Sequence, residues 1–236
     1  MFKNKKILCI IPARKNSQGL KNKNIKKFNG KPLIYWPIKA AKKCKLIDYT
    51  VVTTDSNEIR NLSKNYGANV PFIRPKRLAK NTSKIYDVII HTLNYLSKKN
   101  LYFDYFILLE PTSPLTNHKD ISSSTKKLLS NKIATSLVSV TPNITGHPIF
   151  NLKIKKNNLV KKYTQKKISI HRQNISKLYY ISGNIYISKI DTYLKSKSFV
   201  QNKTIGYLVN KWKASEIDDI VDFIKTEAII KYKKSK

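Results

Sequence analysis

A chain of 236 residues with 41% hydrophobic side chains is long enough for one domain around a sizeable core, and no apolar run approaches the roughly 18 residues of a membrane span. The formal net charge of +34 raises nucleic-acid binding as a function. Yet only Arg14, Arg60, Arg74, Arg77 and Arg172 are arginine and the lysines are scattered from end to end, whereas a groove reader concentrates arginine on one element. The charge reads instead as a solvated lysine surface with a long-range attraction for anions.

Lys3, Lys5 and Lys6 precede Ile7–Ala13, but that apolar part is at the short limit for a signal peptide and Arg14 interrupts it, so a cytoplasmic protein is expected. Cys9 and Cys44 have no metal or redox spacing and read as small core residues. The continuous run Ile7 to Ile11 predicts a parallel strand covered on both faces, and Pro12, with no N–H for a ladder, ends it. The loop that follows carries Arg14, Lys15, Lys21 and Lys23, with Asn16, Ser17, Gln18 and Gly19 among them. Open α/β sheets bind ligands at this carboxyl edge. Arg14 can offer a polyphosphate two charge-assisted hydrogen bonds, the lysines add point charges, and Gly19 lets the backbone approach. The loop has neither the Gly-Lys-Ser/Thr ending of a Walker A motif nor a G-x-G-x-x-G fingerprint. A phosphate loop and a solvated turn therefore both stand on these residues alone.

Pro32 to Cys44 reads as a helix and Tyr49–Thr54 as the second strand. Asp55 with Glu58 makes a D-x-x-E capping pattern for a helix that buries Ile59, Leu62 and Tyr66 and stops at Gly67. A short strand is expected at Val70–Ile73, ahead of Arg74-Pro75. Tyr86 to Leu96 is expected to be helical, with His91 a core histidine. Phe106–Leu109 is another buried strand and empties into Glu110, Pro111, Thr112, Ser113 and Pro114, repeating the placement of the first loop. With a further strand at Ser136–Val140, the alternation predicts a doubly wound α/β sheet.

The rhythm breaks at Pro142. Ile149–Ile154 and Leu159–Tyr163 flank a turn of lysine and asparagine, which predicts a β-hairpin arm with little core of its own. Ile185–Ser188 resumes the sheet, and Ile217 to Ile230 closes the chain as a helix with Ile217, Ile220, Val221 and Ile224 inward. Glu216, Asp218, Asp219 and Asp222 fall within seven residues. Their repulsion is relieved either by a divalent cation or by a helix start whose dipole they complement, with Ser215 and Asp218 as a capping pair.

The motifs in this order resemble the bacterial acylneuraminate cytidylyltransferases. They are PAR-x-NS-x-GL from Pro12, NGKPLI at Asn29–Ile34, TTD at Thr53–Asp55, YGA-x-VPF-x-RP at Tyr66–Pro75, PTSPL at Pro111–Leu115, GNIYIS at Gly183–Ser188 and EIDD at Glu216–Asp219. The resemblance implies one Rossmann-like, GT-A-like nucleotidyltransferase domain over residues 1–236, a three-layer sandwich in which residues 142–178 are an inserted dimerisation arm. It implies a homodimer that transfers CMP from CTP to the anomeric hydroxyl of a nine-carbon nonulosonic acid, with Mg²⁺ as cofactor and no specific nucleic acid or membrane. Carried over by position, Arg14 and Lys23 stabilise the triphosphate, and Pro12, Ala13, Asn24, Arg74 and Ser83 line the CTP side. Glu110, Thr112, Ser113, Arg172, Gln173, Gly183 and Asn184 meet the sugar. Asp218 and Glu216 align with the family's Asp-x-Asp metal pair, and only Asp218 is the same residue.

The chain also departs from relatives at Gln18, Asn81, Glu110, Thr116 and Phe150, where they carry lysine, aspartate, glutamine, arginine and lysine. An eight-carbon octulosonate is the alternative substrate within the class. A basic nucleic-acid-binding protein on a Rossmann-like scaffold is the alternative outside it. No side chain stands out as the general base.

Overall fold

The computed structural model describes residues 4–17, 19–143, 146–156, 158–164 and 176–235. In chain order it contains β1 (Ile7–Pro12), the ribbon β2 (Lys27–Phe28) and β3 (Lys31–Pro32), α1 (Tyr35–Lys43), β4 (Tyr49–Thr53), α2 (Asn57–Asn65), α3 (Ile85–Ser97) and β5 (Tyr105–Leu108). There follow α4 (His118–Ser130), β6 (Ser136–Pro142), β7 (Leu152–Ile154), β8 (Val160–Lys162), β9 (Tyr179–Lys189), α5 (Ile190–Ser196), β10 (Thr204–Leu208) and α6 (Ile220–Lys234).

Six strands form one sheet in the order β10-β6-β9-β5-β1-β4. β1 runs parallel to β4 and β5, β10 runs parallel to β6, and β9 lies antiparallel between β5 and β6. The unbroken apolar run of β1 follows from its cover. Ile7, Cys9 and Ile11 pack with Ile38 and Ala41 of α1 and with Ile121 and Leu128 of α4. Leu8 and Ile10 face the other way, toward Ile89 and Leu96 of α3 and Tyr193 of α5. Helices on both faces of the sheet make three layers, as expected. Among the described residues β7 and β8 pair only with each other, as the hairpin at Ile149–Tyr163 foretold. Among the described residues no helix is long and apolar enough to cross a membrane.

Four local expectations are corrected. α2 is capped by Ser56, whose side chain accepts from the Ile59 N–H at 3.3 Å, so Asp55 is free for another task. Val70–Ile73 forms no strand; a single parallel bridge, Val51 to Asn69, ends the sheet there, and Pro71 withholds an N–H. α6 begins three residues later than expected, and its cap is Asp219, which accepts from the Asp222 N–H at 2.9 Å, rather than a Ser215–Asp218 pair. That start turns the helix so that Phe223 and Thr226 are buried, whereas Ile220, Val221 and Ile224 are exposed and only Ile217, ahead of the helix, stays inside. α4 also escaped the hydrophobic pattern, because its buried face includes Ser124 and Thr125 beside Ile121 and Leu128; its Asn117–Asp120 capping box is the cue that marks it.

Candidate active site

β1 and β5 are parallel neighbours, with Ile10 paired to Leu108, so the loops that leave them open at the same edge of the sheet. Between those loops lies a cleft of about 430 Å³ lined by Arg14, Ser17, Gly19, Lys23, Asn24, Glu110, Thr112 and Asp218. A second cavity of about 220 Å³ adjoins it, sharing Pro12, Arg14 and Glu110 and reaching Arg74 and Ser83. The structure thus gathers most of the expected residues at one place. Ala13 is a core side chain whose N–H extends the ladder to the Thr53 carbonyl at 3.0 Å.

The loop after β1 is held by its own chain and by its neighbours. Asn24 donates to the Arg14 carbonyl at 2.8 Å, while the Asn24 carbonyl accepts from the Ile34 N–H at 2.9 Å. Asp55 accepts from the Lys15 N–H at 2.8 Å, which is the task that replaces capping. The Arg14 guanidinium donates to the Asn81 side chain at 2.8 Å and to the Lys80 carbonyl at 3.2 Å, so its head lies toward the second cavity. Asn81 is a site residue that pattern alone passed over; its sole signal was its place among the departures from relatives. Arg74 is 4% exposed and donates to the Thr53 hydroxyl and carbonyl. Burial pulls its guanidinium down to about 10, partly offset by Asp55.

The acidic segment enters from the far end of the chain. Ile217 is fully buried among Phe28, Leu33, Leu115 and Phe223, and its N–H donates to the Thr112 carbonyl at 2.8 Å. The Lys23 ammonium, rather than standing free in the cleft, donates to the Ile217 carbonyl at 2.8 Å and to Asp218 at 3.2 Å. Two glycines make room for this segment. A Cβ on Gly19 would fall 2.2 Å from the Asp218 carbonyl oxygen, and one on Gly183, at φ +66°, would fall 1.3 Å from the Glu216 carboxylate.

Glu110 is half-buried and lines both the cleft and the second cavity. Burial first, then the charges of Glu216 and Asp218, pushes its carboxyl up to about 7, with Lys23 pulling the other way. Glu216 is raised as well, by burial and then by Asp218. Glu216 and Asp218 form a pair of hard-oxygen donors whose repulsion a divalent cation would remove. Among the described residues no three such side chains group tightly enough to cage a metal unaided. The residues that would hold Mg²⁺ are Glu216 and Asp218, since that ion keeps several waters and takes one or two carboxylates beside phosphate oxygens.

Of the expected sugar contacts, Glu110 and Thr112 line the cleft. Ser113, Gly183 and Asn184 are not among its lining and are bonded into the protein instead: Ser113 donates to the Gly183 carbonyl at 3.1 Å, and Asn184 donates to Thr116 at 3.1 Å and to the Lys213 carbonyl at 2.9 Å. Arg172 and Gln173 lie outside the described residues.

Residues 8–235 match the family model described as cytidylyltransferase. The chain is 34% identical to the CMP-N,N'-diacetyllegionaminic acid synthase of Legionella pneumophila, over 95% of this chain and 96% of that one. It is 31% identical to the N-acylneuraminate cytidylyltransferase of Escherichia coli, over 92% of this chain and 50% of that longer protein. Among solved structures, CMP:2-keto-3-deoxy-manno-octonic acid synthetase complexed with CTP superposes with a TM-score of 0.71 at 12% identity, over 97% of this chain and 99% of the other. At that identity the likeness is one of fold.

Proposed function

The chain belongs to the cytidylyltransferase family, and on that premise we propose that it transfers CMP from CTP to the anomeric hydroxyl of a nonulosonic acid, releasing pyrophosphate. The observation that carries the reading is the meeting of a basic loop with an acidic segment across one cleft, with Lys23 paired to Asp218 at 3.2 Å. Phosphoryl chemistry of this kind is chiefly positioning and charge neutralisation. The sugar oxygen attacks the α-phosphorus, the bond to the β-phosphate oxygen breaks, and the hydroxyl proton is lost as pyrophosphate leaves. Arg14 reaches the triphosphate by exchanging its neutral partners, Asn81 and the Lys80 carbonyl, for phosphate oxygens. Arg74 and Ser83 line the smaller cavity, which takes the cytidine.

Asp218 and Glu216 hold Mg²⁺, which when bound neutralises phosphate charge. Glu110 and Thr112 meet the sugar, together with Arg172 and Gln173. The arm, β7 and β8, exposes Leu152, Ile154, Leu159 and Val160, and a second copy of the chain covers them in a homodimer. The reaction belongs in the cytoplasm, where CTP is made, and no specific nucleic acid takes part.

The test is a coupled pyrophosphate-release assay with CTP and a panel of acid sugars: legionaminic, sialic, pseudaminic and eight-carbon octulosonic acids. Turnover with a nine-carbon acid, abolished by chelation and restored by Mg²⁺, is expected. Release with the octulosonate alone would move the substrate class, and no release with any acid sugar would end the proposal.

A further inference from the structure

The two tryptophans of the chain, Trp36 and Trp212, line one cavity of about 300 Å³, which shares no residue with the active-site cleft or the cavity beside it. Helical spacing builds two of its walls. Trp36, Ala40 and Lys43 follow at i, i+4 and i+7 on α1, and Ile230 and Lys233 at i and i+3 on α6. Trp36 is fixed from behind: its indole N–H donates to the Phe28 carbonyl at 3.2 Å, and its ring meets Phe28 edge-on with centroids 5.8 Å apart. Its one polar group is thereby spent, so the ring offers the cavity only apolar surface. The rim is basic. Lys39, Lys43 and Lys233 belong to the lining, which contains no aspartate or glutamate, and none of the three is ion-paired among the described residues. The Lys39 Nζ lies 5.7 Å from the centroid of Trp36, and the Lys233 Nζ 5.1 Å from that of Trp212.

From this geometry we infer that the cavity is a second ligand site, which takes a one- or two-ring aromatic carboxylate, its rings against the indoles and its charge toward the lysines of the rim. The volume is at the small end of the range for organic ligands. Aromatic rings suit indole walls through offset or edge-on stacking. An ammonium over a ring face is held more weakly than one bonded to a carboxylate, so Lys39 and Lys233 both gain when an anion arrives. A neutral apolar molecule brings no such gain, and a cation would meet three like charges. The site is separate from the active-site cleft but shares a loop with it: Pro114 to His118 wall this cavity, whereas Glu110 and Thr112 line the cleft. It stands whether or not the proposed transfer is the reaction.

Because both tryptophans line the cavity, their two indole N–H signals in the NMR spectrum of the isotope-labelled full chain report on it directly. Titration with naphthoate should shift both signals along one saturable curve, with a Kd below about 1 mM. Naphthamide, the same rings without the charge, should bind at least about fivefold more weakly to the wild-type chain. Lys43→Glu with Lys233→Glu changes two exposed side chains, and should weaken naphthoate by about tenfold or more. Excess CTP should leave the naphthoate-bound signals in place, since the two sites share no residue. Shifts that fail to saturate by about 10 mM naphthoate would remove the site. Equal affinity for the amide, or undiminished binding in the double variant, would show that the rim does not select an anion and overturn the inference. Displacement by CTP would move naphthoate to the active-site cleft and overturn it too. Indole signals that respond to protein concentration and not to naphthoate would put a second copy of the chain in the cavity, which equally ends the small-molecule reading.

Discussion

Phe106 in β5 and Ile154 in β7 are both large apolar side chains on strands, yet Phe106 is 0% exposed and Ile154 is 75% exposed. β5 lies between β1 and β9, under α3 and α5, and Phe106 stacks edge-on against Tyr193 with ring centroids 4.9 Å apart. β7 has three residues and, among the described residues, one partner strand, and a lone two-stranded hairpin is marginal in water. Leu152, Leu159, Val160 and Tyr163 are all more than half exposed around it. A cluster of that kind differs from the isolated surface leucine found on any protein. The comparison separates two ways of placing functional groups. The sheet edge positions Arg14, Asn24, Glu110 and Asp218 with bonds made inside one chain, whereas the hairpin of β7 and β8 carries large apolar side chains that are more than half exposed.

The largest expected effect tests the first half of that contrast. Phe106→Ala leaves a cavity between the sheet and α5 and should cost about 3–5 kcal/mol of folding stability, measured by urea unfolding. A loss below about 1 kcal/mol would mean that the sheet is not the stabilising region. Next in size is Arg14→Ala, which removes charge-assisted bonds made in the transition state and should cost about 2–4 kcal/mol in kcat/KM. Arg14→Lys should fail to restore the rate, because a point charge cannot reproduce the guanidinium fork. A lysine variant at full speed would reduce Arg14 to a source of charge.

The same contrast explains what was legible beforehand. β1, β5 and the loops after them announce themselves, because an apolar run that ends in polar residues has one physical reading in an α/β chain. Asp55 was misread because its local D-x-x-E pattern explained it fully. Its true partner, the Lys15 N–H, is 40 residues away and reaches it only across β1 and β4. The wrong face of α6 has a similar cause. Ile217 is apolar and buried, but it is anchored by Thr112 outside the helix, so counting the helical phase from it puts Ile220, Val221 and Ile224 inside when they are exposed. Lys23 illustrates the limit best. Sequence places it in a phosphate loop, and no pattern says that its ammonium also bonds to residues 217–218.

Glu110 supplies a smaller effect that sharpens the sheet-edge half. Its folded pKa of about 7 lies above the ordinary value of 4.5, so the folded chain holds this proton more tightly than the unfolded one. The stability it lends is fully present below pH 4.5 and is lost as pH rises through about 7. In metal-free protein that amounts to on the order of 3 kcal/mol, and Glu110→Gln should flatten the dependence between those limits. In the assay the same substitution should alter which acid sugar is preferred and leave the Mg²⁺ requirement alone. A raised Mg²⁺ requirement with unchanged sugar preference would make Glu110 a metal ligand.

The smallest effect on folding bears on the arm. At 75% exposure the Ile154 side chain loses almost nothing when replaced, so Ile154→Asp should change the folding stability read by urea unfolding by less than about 0.5 kcal/mol in a monomeric chain. The same substitution has a different meaning if a second copy covers β7 and β8. It would then bury an unpaired carboxylate at an apolar contact, at a cost of several kcal/mol to association. Sedimentation should therefore show Ile154→Asp as a monomer at concentrations where wild type is dimeric, with the urea transition of the isolated chain intact. On the proposed function, in which Arg172 and Gln173 meet the sugar, the sugar half of the site should weaken with it, seen as a raised KM for the sugar at nearly constant CTP affinity. A variant that stays dimeric would mean that the exposed apolar residues of β7 and β8 are not what holds two chains together. A variant that dissociates yet keeps the wild-type KM for the sugar would separate assembly from substrate binding, and leave the arm a purely structural device.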